Sequence, residues 1–253
     1  MAYKEFHIDN ATIFGLAVAL TIMPAAQLLA YRALPKTTPL KYRVLFFWHA
    51  YDFLTHFILE GSFLYHCFFS YLDLDESKIS KGEGYLRGAD DVAYLWNNVN
   101  RRYGATFSTH FTALPWIEYG KADLRWLYAD LNVVSLELLT VFLGGPAATY
   151  ICYQIYRAMT VGNASAKASH MSKLWFAATV LATGELYGGF MTFAPEWLSG
   201  SIMLNTDDPV YLWFYLFFFN VLWVFFPFWV LYCAWGEFSS AIAATARSSK
   251  KTT

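Results

Sequence analysis

The sequence predicts an all-α polytopic membrane protein with five transmembrane helices in one bundle. Hydrophobic residues make up 57% of the 253 residues and charged residues only 15%, whereas soluble domains carry about 25% charged residues. The apolar residues are gathered in five segments, each of which reaches the ~20 residues that a helix needs to cross the hydrocarbon core. The charges of the connecting loops alternate along the chain in a way that fits such a bundle.

The five predicted spans are continuous apolar segments. Their bounds are residues 12–31, 44–72, 131–156, 174–193 and 210–235. Asp9 and Asn10 precede the first span and are typical helix caps. Three spans contain proline, which predicts kinks that neighbouring helices tolerate: Pro24, Pro146 and Pro227. The long non-apolar segment 73–130 is predicted to fold as a non-cytosolic loop between helices two and three.

Loop charges predict the orientation of the bundle. The loops between spans one and two and between spans three and four carry basic residues and no acidic ones, and the C-terminal tail adds Arg247, Lys250 and Lys251. Basic loops face the cytosol, so the C-terminus is expected there. The tail ends in KKTT, a dilysine pattern that predicts retrieval to the endoplasmic reticulum. The net charge of -1 and the lack of a basic tract argue against a nucleic-acid partner, and membrane lipid is expected instead.

Ionisable residues within the spans are the main functional signal. Each costs on the order of 2.5–3.5 kcal/mol in a membrane, so they are expected to face the bundle interior. In span two His49, Asp52, His56 and Glu60 are three, four and four residues apart and share one helix face. His56 and Glu60 can therefore share a proton or a hydrogen bond. A structural network that ties helices together is the alternative interpretation.

Other spans add polar residues to the same interior. Glu137 and Thr140 lie one turn apart in span three, and Asn220 and Trp223 do so in span five. Span four contributes Glu185 and Tyr187, and with Asp52 and Tyr215 they are predicted to bind a substrate. Burial favours the protonated form of an isolated carboxyl group, the form that a general acid needs. An aromatic face such as Trp223 can stabilise a cation.

A metal site is a rival interpretation of these residues. Membrane oxidases that hold iron carry many histidines in clustered spacings. This chain has six histidines, and only His49 and His56 share one face within a span. We therefore expect no metal and no cofactor.

Five sequence segments resemble the emopamil-binding protein family, the sterol Δ8–Δ7 isomerases that carry the EXPERA domain. They are HFILEG (56–61), WIEYGKADLRW (116–126), ELLTVFLGGP (137–146), ELYGG (185–189) and DPVYLWFYLFFFNVLW (208–223). The resemblance implies one membrane domain over residues 1–253, with a core at about 44–236 and a cytosolic tail at 237–253.

The resemblance also implies a chemistry and a set of residues. Family members protonate a ring alkene, pass through a carbocation and lose a proton from a neighbouring carbon, without a redox cofactor. Carried over by motif, the catalytic residues are His56, Glu60, Glu137, Thr140, Asn220 and Trp223. Two alternatives stay open: a terpenoid or meroterpenoid isomerase or cyclase, and a non-catalytic sterol-binding protein similar to the sigma-2 receptor. A homodimer is possible in each case.

The sequence departs from the family pattern at several positions. Ser62 stands where an aromatic residue is usual, Glu185 where a glutamine is usual, and Gly189 where a polar residue can occur. Asp52 is an added carboxyl group, and the segment 77–112 is longer than in animal and plant isomerases. These departures bear on the substrate more than on the type of reaction.

Overall fold

The computed structural model describes residues 5–74, 95–98 and 100–249, and this part of the chain is mostly helical, as predicted. Helix α1 spans Asn10–Ala33, and it begins at a capping box in which the Asp9 side chain accepts from the Thr12 N–H. The second long helix is built from α2 (Leu40–Leu54), a π-helical segment π1 (Thr55–Glu60) and α3 (Gly61–Phe69). Its π-helical part coincides with the polar segment THFILE.

The later long helices contain two more π-helical segments. The third consists of α5 (Leu131–Leu139), π2 (Thr140–Gly144) and α6 (Gly145–Thr160). Helix α7 spans Ala164–Ser199, and the chain ends in π3 (Tyr211–Phe218) and α8 (Phe219–Ser249). π-helical turns occur mostly as local bulges, often at functional sites. Here they fall on three of the five segments that carry the family resemblance.

Three of the described helices are long and apolar enough to cross a membrane: Asn10–Ala33, Leu131–Thr160 and Tyr211–Arg247. The remaining two long helices cover residues 40–69 and 164–199 and contain Asp52, His56, Glu60 and Glu185. Large apolar side chains are exposed around the bundle, among them Phe142, Leu143, Phe176 and Tyr232. Such a surface suits contact with lipid.

The main core lies where α1, α2, α6, α7 and α8 meet. It includes the buried side chains of Trp48, Ile151, Leu174 and Val230. This core surrounds the polar residues of the second long helix, so the packing of all five long helices determines what those residues face.

A small folded cap covers one end of the bundle. It contains an antiparallel pair of strands, β1 (Tyr71–Asp73) and β2 (Arg101–Tyr103), and the short helix α4 (Leu114–Tyr119). The prediction of an all-α fold is wrong in this detail, because the chain after α3 contains two short strands that pair with each other. Four short 3₁₀ turns complete the described part of the cap: Leu95–Asn97, Ala105–Phe107, Phe111–Ala113 and Leu124–Trp126.

Aromatic packing and one ion pair attach the cap to the helices. The rings of Trp116 and Trp126 stack 5.0 Å apart, and Phe63 of α3 packs 4.9 Å from Trp126. Arg125 bonds both carboxylate oxygens of Asp123, at 2.9 and 2.7 Å, and also the backbone oxygen of Thr192 in α7. The dilysine pattern at Lys250 and Lys251, and the part of the predicted long loop at 75–94, lie outside the described residues.

Candidate active site

His56 lies at the centre of the bundle between two carboxyl groups of its own helix. Its ring is only 2% exposed. Nδ1 lies 2.5 Å from Glu60 Oε2, and Nε2 lies 3.0 Å from Asp52 Oδ1, although that second contact lacks the alignment of a hydrogen bond. The stripe that the sequence predicts is therefore present, with the imidazole between Asp52 and Glu60.

Two glycines of the third long helix allow it to approach His56 closely. A Cβ at Gly144 would lie 3.1 Å from His56 Nε2, and one at Gly145 would lie 2.8 Å from the Phe57 ring. In π1 the Gly61 N–H bonds to the His56 carbonyl oxygen, five residues earlier. The GGP of the third helix and the π turn of the second therefore meet at the imidazole.

Glu137 extends the polar residues beyond Glu60. Its side chain is 6% exposed, and its carboxyl group lies beside that of Glu60, close enough for the two to interact. The Thr140 hydroxyl donates to Glu137 Oε2 at 2.9 Å. Two helices thus bring a pair of carboxyl groups together, as the sequence suggests.

A second pair of carboxyl groups lies on the other side of His56. The Glu185 carboxyl from α7 lies beside Asp52 and interacts with it electrostatically. As ionised groups both are acceptors only, so both oxygens of Glu185 and Oδ2 of Asp52 are buried without a donor. We call the series Glu185, Asp52, His56, Glu60 and Glu137 the acid–imidazole row.

Aromatic rings adjoin the Asp52 end of the row. The Trp223 indole N–H donates to Asp52 Oδ1 at 3.2 Å. The Trp223 ring packs 5.6 Å from Trp48 and 5.5 Å from Tyr51, and Phe226 stacks on Trp48 at 4.4 Å. These four residues form what we call the aromatic wall.

The row contains one basic side chain for four carboxyl groups. Within the described residues, the ion pairs of its carboxylates involve only His56. In that same part of the chain, no group of three or more His, Cys, Asp or Glu side chains has donors arranged to hold a metal ion. The arrangement suits the binding and transfer of protons, since a carboxyl group can face another carboxyl group stably only with a proton between them.

A different carboxylate cluster links the cap to α1 and π3. Glu118 is 1% exposed, and its Oε1 accepts from the Tyr215 hydroxyl at 2.6 Å. Its Oε2 accepts from the Thr12 hydroxyl at 2.8 Å and lies 2.5 Å from Lys121 Nζ. Lys121 also bonds Asp9 Oδ2 at 2.8 Å. The N–H donor of Lys121 holds the pKa of the Asp9 carboxyl well below its usual range. We call these residues the Glu118 cluster.

Comparison with known proteins shows which family this chain resembles. Residues 111–234 match the model of the EXPERA domain, the expanded EBP superfamily. This part of the chain is therefore similar to that superfamily. The guinea pig (Cavia porcellus) 3-beta-hydroxysteroid-Delta(8),Delta(7)-isomerase is 31% identical over 117 residues, which are 46% of each chain.

Two plant proteins extend the comparison. A probable 3-beta-hydroxysteroid-Delta(8),Delta(7)-isomerase from rice (Oryza sativa subsp. japonica) is 26% identical over 227 residues, 89% of this chain and 81% of its own. Isomeliandiol synthase of Ailanthus altissima is 26% identical over 120 residues, 47% of this chain and 50% of its own. The chain thus spans about half the length of the mammalian relatives that it matches, and most of the length of the rice protein.

The residues predicted for the site fall into three groups. Six of them lie in or against the acid–imidazole row: Asp52, His56, Glu60, Glu137, Thr140 and Glu185. Trp223 contacts the row through its indole N–H. The others lie elsewhere.

The structure places three of the predicted site residues away from the row. The amide of Asn220 donates to the Tyr119 hydroxyl and to the Leu216 carbonyl oxygen, each at 2.8 Å, and so it orients Tyr119 rather than an acid of the row. Tyr215 bonds Glu118 and is part of the other cluster. The Tyr187 ring is 73% exposed, because a residue two positions after Glu185 lies on the opposite side of the helix.

Residues that the sequence reasoning missed come from the cap and from the helix contacts. Tyr119 is partly buried, and removal of its hydroxyl from solvent, with the nearby Asp123 carboxylate, raises its pKa, so the hydroxyl remains protonated beside Asn220. Gly144 lies against His56, and Gly145 lies against the neighbouring Phe57. Tyr119 belongs to the WIEYGKAD motif, and the two glycines belong to the FLGGP motif. Neither motif indicates which side chains these residues contact.

Proposed function

We propose that this protein is an enzyme that moves a ring double bond of a sterol from Δ8 to Δ7 by acid–base catalysis within a membrane. The observation that carries the proposal is the acid–imidazole row, which gathers four carboxyl groups around one buried imidazole. The names of the mammalian and rice relatives support the same reaction. Because the match to the mammalian relatives covers 46% of their length, we treat the activity as a proposal for this chain.

The proton count of the row supports a general acid. Each nitrogen of His56 faces a carboxylate oxygen, and each inner carboxyl group lies beside an outer one. The row has four such contacts, and we place one proton in each. His56 is then an imidazolium, Asp52 and Glu60 are carboxylates, and Glu137 and Glu185 are carboxylic acids. Any further ionisation would add negative charge to an apolar interior, at a high cost.

The proposed reaction exchanges one proton for another. A carboxyl group protonates one carbon of the ring alkene, and the electron pair of the double bond forms the new C–H bond. The neighbouring carbon becomes a carbocation. A proton then leaves the carbon on its other side, and the electrons of that C–H bond form the shifted double bond. No electrons are gained or lost overall, so the reaction requires no redox cofactor.

Residue roles follow from the contacts. Glu60, coupled to His56, delivers or collects a proton, and Glu137, oriented by the Thr140 hydroxyl, is the second carboxyl group at that end of the row. Trp223 presents an aromatic face to the cation. Asn220 acts indirectly, because its amide orients Tyr119.

We further propose that all five long helices cross the membrane of the endoplasmic reticulum. The basic loops and the tail then face the cytosol, and the cap faces the lumen. The two helices with lower apolar content are those that carry polar residues toward the interior, a position that shields them from lipid.

A specialised terpenoid substrate is the second candidate. Isomeliandiol synthase of Ailanthus altissima is among the relatives. An acid that protonates an alkene can also initiate rearrangement or ring closure. The acid–imidazole row would then act on another polycyclic alkene.

The test is an assay with microsomes that express the protein, a Δ8 sterol and deuterated water, with products identified by mass spectrometry. We expect a Δ7 product that carries one deuterium, and about 10²- to 10⁴-fold slower formation of this product in Glu60→Gln. The matched control is Glu237→Gln, whose carboxylate bonds Lys41 at the start of α2. A folded protein that forms no Δ7 product would overturn the sterol proposal, and turnover of a terpenoid alkene by that protein would favour the second candidate.

A further inference from the structure

Several buried polar atoms at the Asp52 end of the row have no partner. Among the described residues, Asp52 Oδ2, His56 Nε2 and both carboxyl oxygens of Glu185 are buried without a hydrogen bond. Asp52 itself is fully buried. Native proteins satisfy nearly all such atoms, so an unsatisfied group requires an explanation. The group that would satisfy these atoms is a proton, or a ligand that brings one.

The aromatic wall lies at this same end. Trp223 contacts Asp52 through its indole N–H at 3.2 Å, and its ring packs against Trp48 and Tyr51 of α2. Those two residues precede Asp52 by four positions and one position. An aromatic face stabilises a nearby cation. A carbocation held at this wall is therefore nearer to Asp52 than to Glu60, which is two helical turns further along the chain.

We infer that Asp52, supported by Glu185, is the base that removes the proton in the second half of the reaction, while the Glu60–Glu137 end delivers the first proton. This inference rests on the proposed isomerase function. It assigns Asp52 a catalytic role, because its carboxylate touches the reacting C–H group. Glu185 is a positioning residue that acts through Asp52.

The proton transfers balance within the row. The Glu60–Glu137 end loses a proton to the alkene, and the Asp52 carboxylate gains one from the carbon next to the cation, as the electrons of that C–H bond form the new double bond. His56 lies between the two ends, 3.0 Å from Asp52 Oδ1 and 2.5 Å from Glu60 Oε2. The starting state returns when the proton gained at Asp52 leaves to solvent and the Glu60–Glu137 end takes one proton from solvent, as incorporation of one deuterium requires.

Asp52 and Glu185 come from different helices, α2 and α7, and the fold brings their carboxyl groups together. A base built from these two residues therefore depends on the packing of the bundle and not on spacing along one helix.

The test compares isotope effects in variants of the full-length protein. A Δ8 sterol with deuterium at the carbon that loses the proton reports on the second step, and deuterated water reports on the first. In Asp52→Asn and Glu185→Gln we expect kcat to fall about 10- to 100-fold, in the lower range of general acid–base effects, with little change in KM. The isotope effect from the labelled substrate should rise in both variants, because proton removal becomes rate-limiting.

Glu60→Gln gives the opposite pattern if the inference holds. Its substrate isotope effect should fall toward one, because the first proton transfer becomes limiting. Glu237→Gln should keep the wild-type values of both isotope effects. If Asp52→Asn fails to fold, Trp223→Phe takes its place, because it removes the N–H bond to Asp52 and keeps an aromatic ring.

The outcomes separate this inference from the proposed function. Absence of product from the folded wild-type protein would overturn the isomerase proposal and, with it, the inference. Product formation with an unchanged substrate isotope effect in Asp52→Asn and Glu185→Gln would overturn the inference alone. A loss of rate with no change in either isotope effect would reduce both residues to a structural role and would also contradict it.

Discussion

Glu60 and Glu118 are both buried carboxylates, but their surroundings are opposite. Glu118 accepts from Tyr215 and Thr12 and pairs with Lys121, so both of its oxygens are satisfied by donors. Glu60 pairs only with His56 and lies beside another carboxyl group. A carboxylate with a full set of donors holds elements together, whereas one that shares protons with its neighbours can exchange them. The comparison separates structural from chemical roles within one bundle.

The largest expected effect is on catalysis at the row. Glu60→Gln removes a group that can carry the transferred proton, and Glu137→Gln removes its partner. We expect each to lower turnover of a Δ8 sterol about 10²- to 10⁴-fold, with a small change in thermal unfolding temperature in detergent. Full turnover in both variants would show that the row is not the site of proton transfer.

The next effect is on stability at the Glu118 cluster. Glu118→Ala leaves the hydroxyl groups of Thr12 and Tyr215 without their acceptor, while Lys121 keeps Asp9 as its carboxylate partner. We therefore expect a cost of about 3 kcal/mol, the lower end of the range for breaking a buried ion pair. Tyr215→Phe removes one bond and should cost about 1 kcal/mol. Thermal unfolding in detergent measures both changes. If the folded fraction of Glu118→Ala lost isomerase turnover as completely as Glu60→Gln, the distinction between a structural Glu118 and a chemical Glu60 would be wrong.

A smaller effect is expected from Gly144→Ala. The added Cβ would lie 3.1 Å from His56 Nε2, so the imidazole, held between Asp52 and Glu60, must shift by a few tenths of an ångström. We expect about a tenfold loss of turnover, in keeping with the sensitivity of catalysis to small misplacements. The matched control is Gly184→Ala in α7, where a Cβ meets no atom within 4 Å. Equal turnover in the two variants would indicate that the imidazole position is not critical.

The smallest effect concerns the pH dependence of the Glu118 cluster. Lys121 lowers the pKa of Asp9 in the folded protein, so the contribution of Asp9 to stability is present above the unfolded pKa of about 3.9 and is lost as pH falls through the lower folded value. Because Asp9 is 40% exposed, Asp9→Asn should cost at most about 1 kcal/mol at pH 7. Asparagine also caps helices well, so the variant tests the charge. The stability difference from wild type should narrow below pH 4, and a constant difference would exclude the Asp9 charge as its source.

Helix-local features could be predicted from the sequence. His56 lies between Asp52 and Glu60 because residues four apart share a helix face, and Thr140 bonds Glu137 for a similar reason. The π-helical form of these segments was not predictable from spacing. An i to i+5 bond is favoured only where close packing stabilises it, as Gly144 and Gly145 do against π1.

Contacts between helices determine which of the predicted site residues lie apart from the row. Tyr215 and Asn220 stand on the same helix as Trp223, yet Tyr215 bonds Glu118 and Asn220 bonds Tyr119, while Trp223 bonds Asp52. Tyr187 follows Glu185 by two residues and faces outward. A motif shared by relatives indicates which residues matter, but it does not indicate which of them meet.

Local spacing was thus sufficient to predict apolar helices, a polar stripe on the second one and an interior rich in carboxyl groups. Periodicity and the cost of charge in an apolar medium act within each segment, so they can be read along the chain. The junction of Asp52 with Glu185, and the separation of the acid–imidazole row from the Glu118 cluster, required the packed bundle. The rotation of each helix about its axis depends on side chains far apart in sequence, and that rotation determines which carboxyl group finds a donor and which finds another acid.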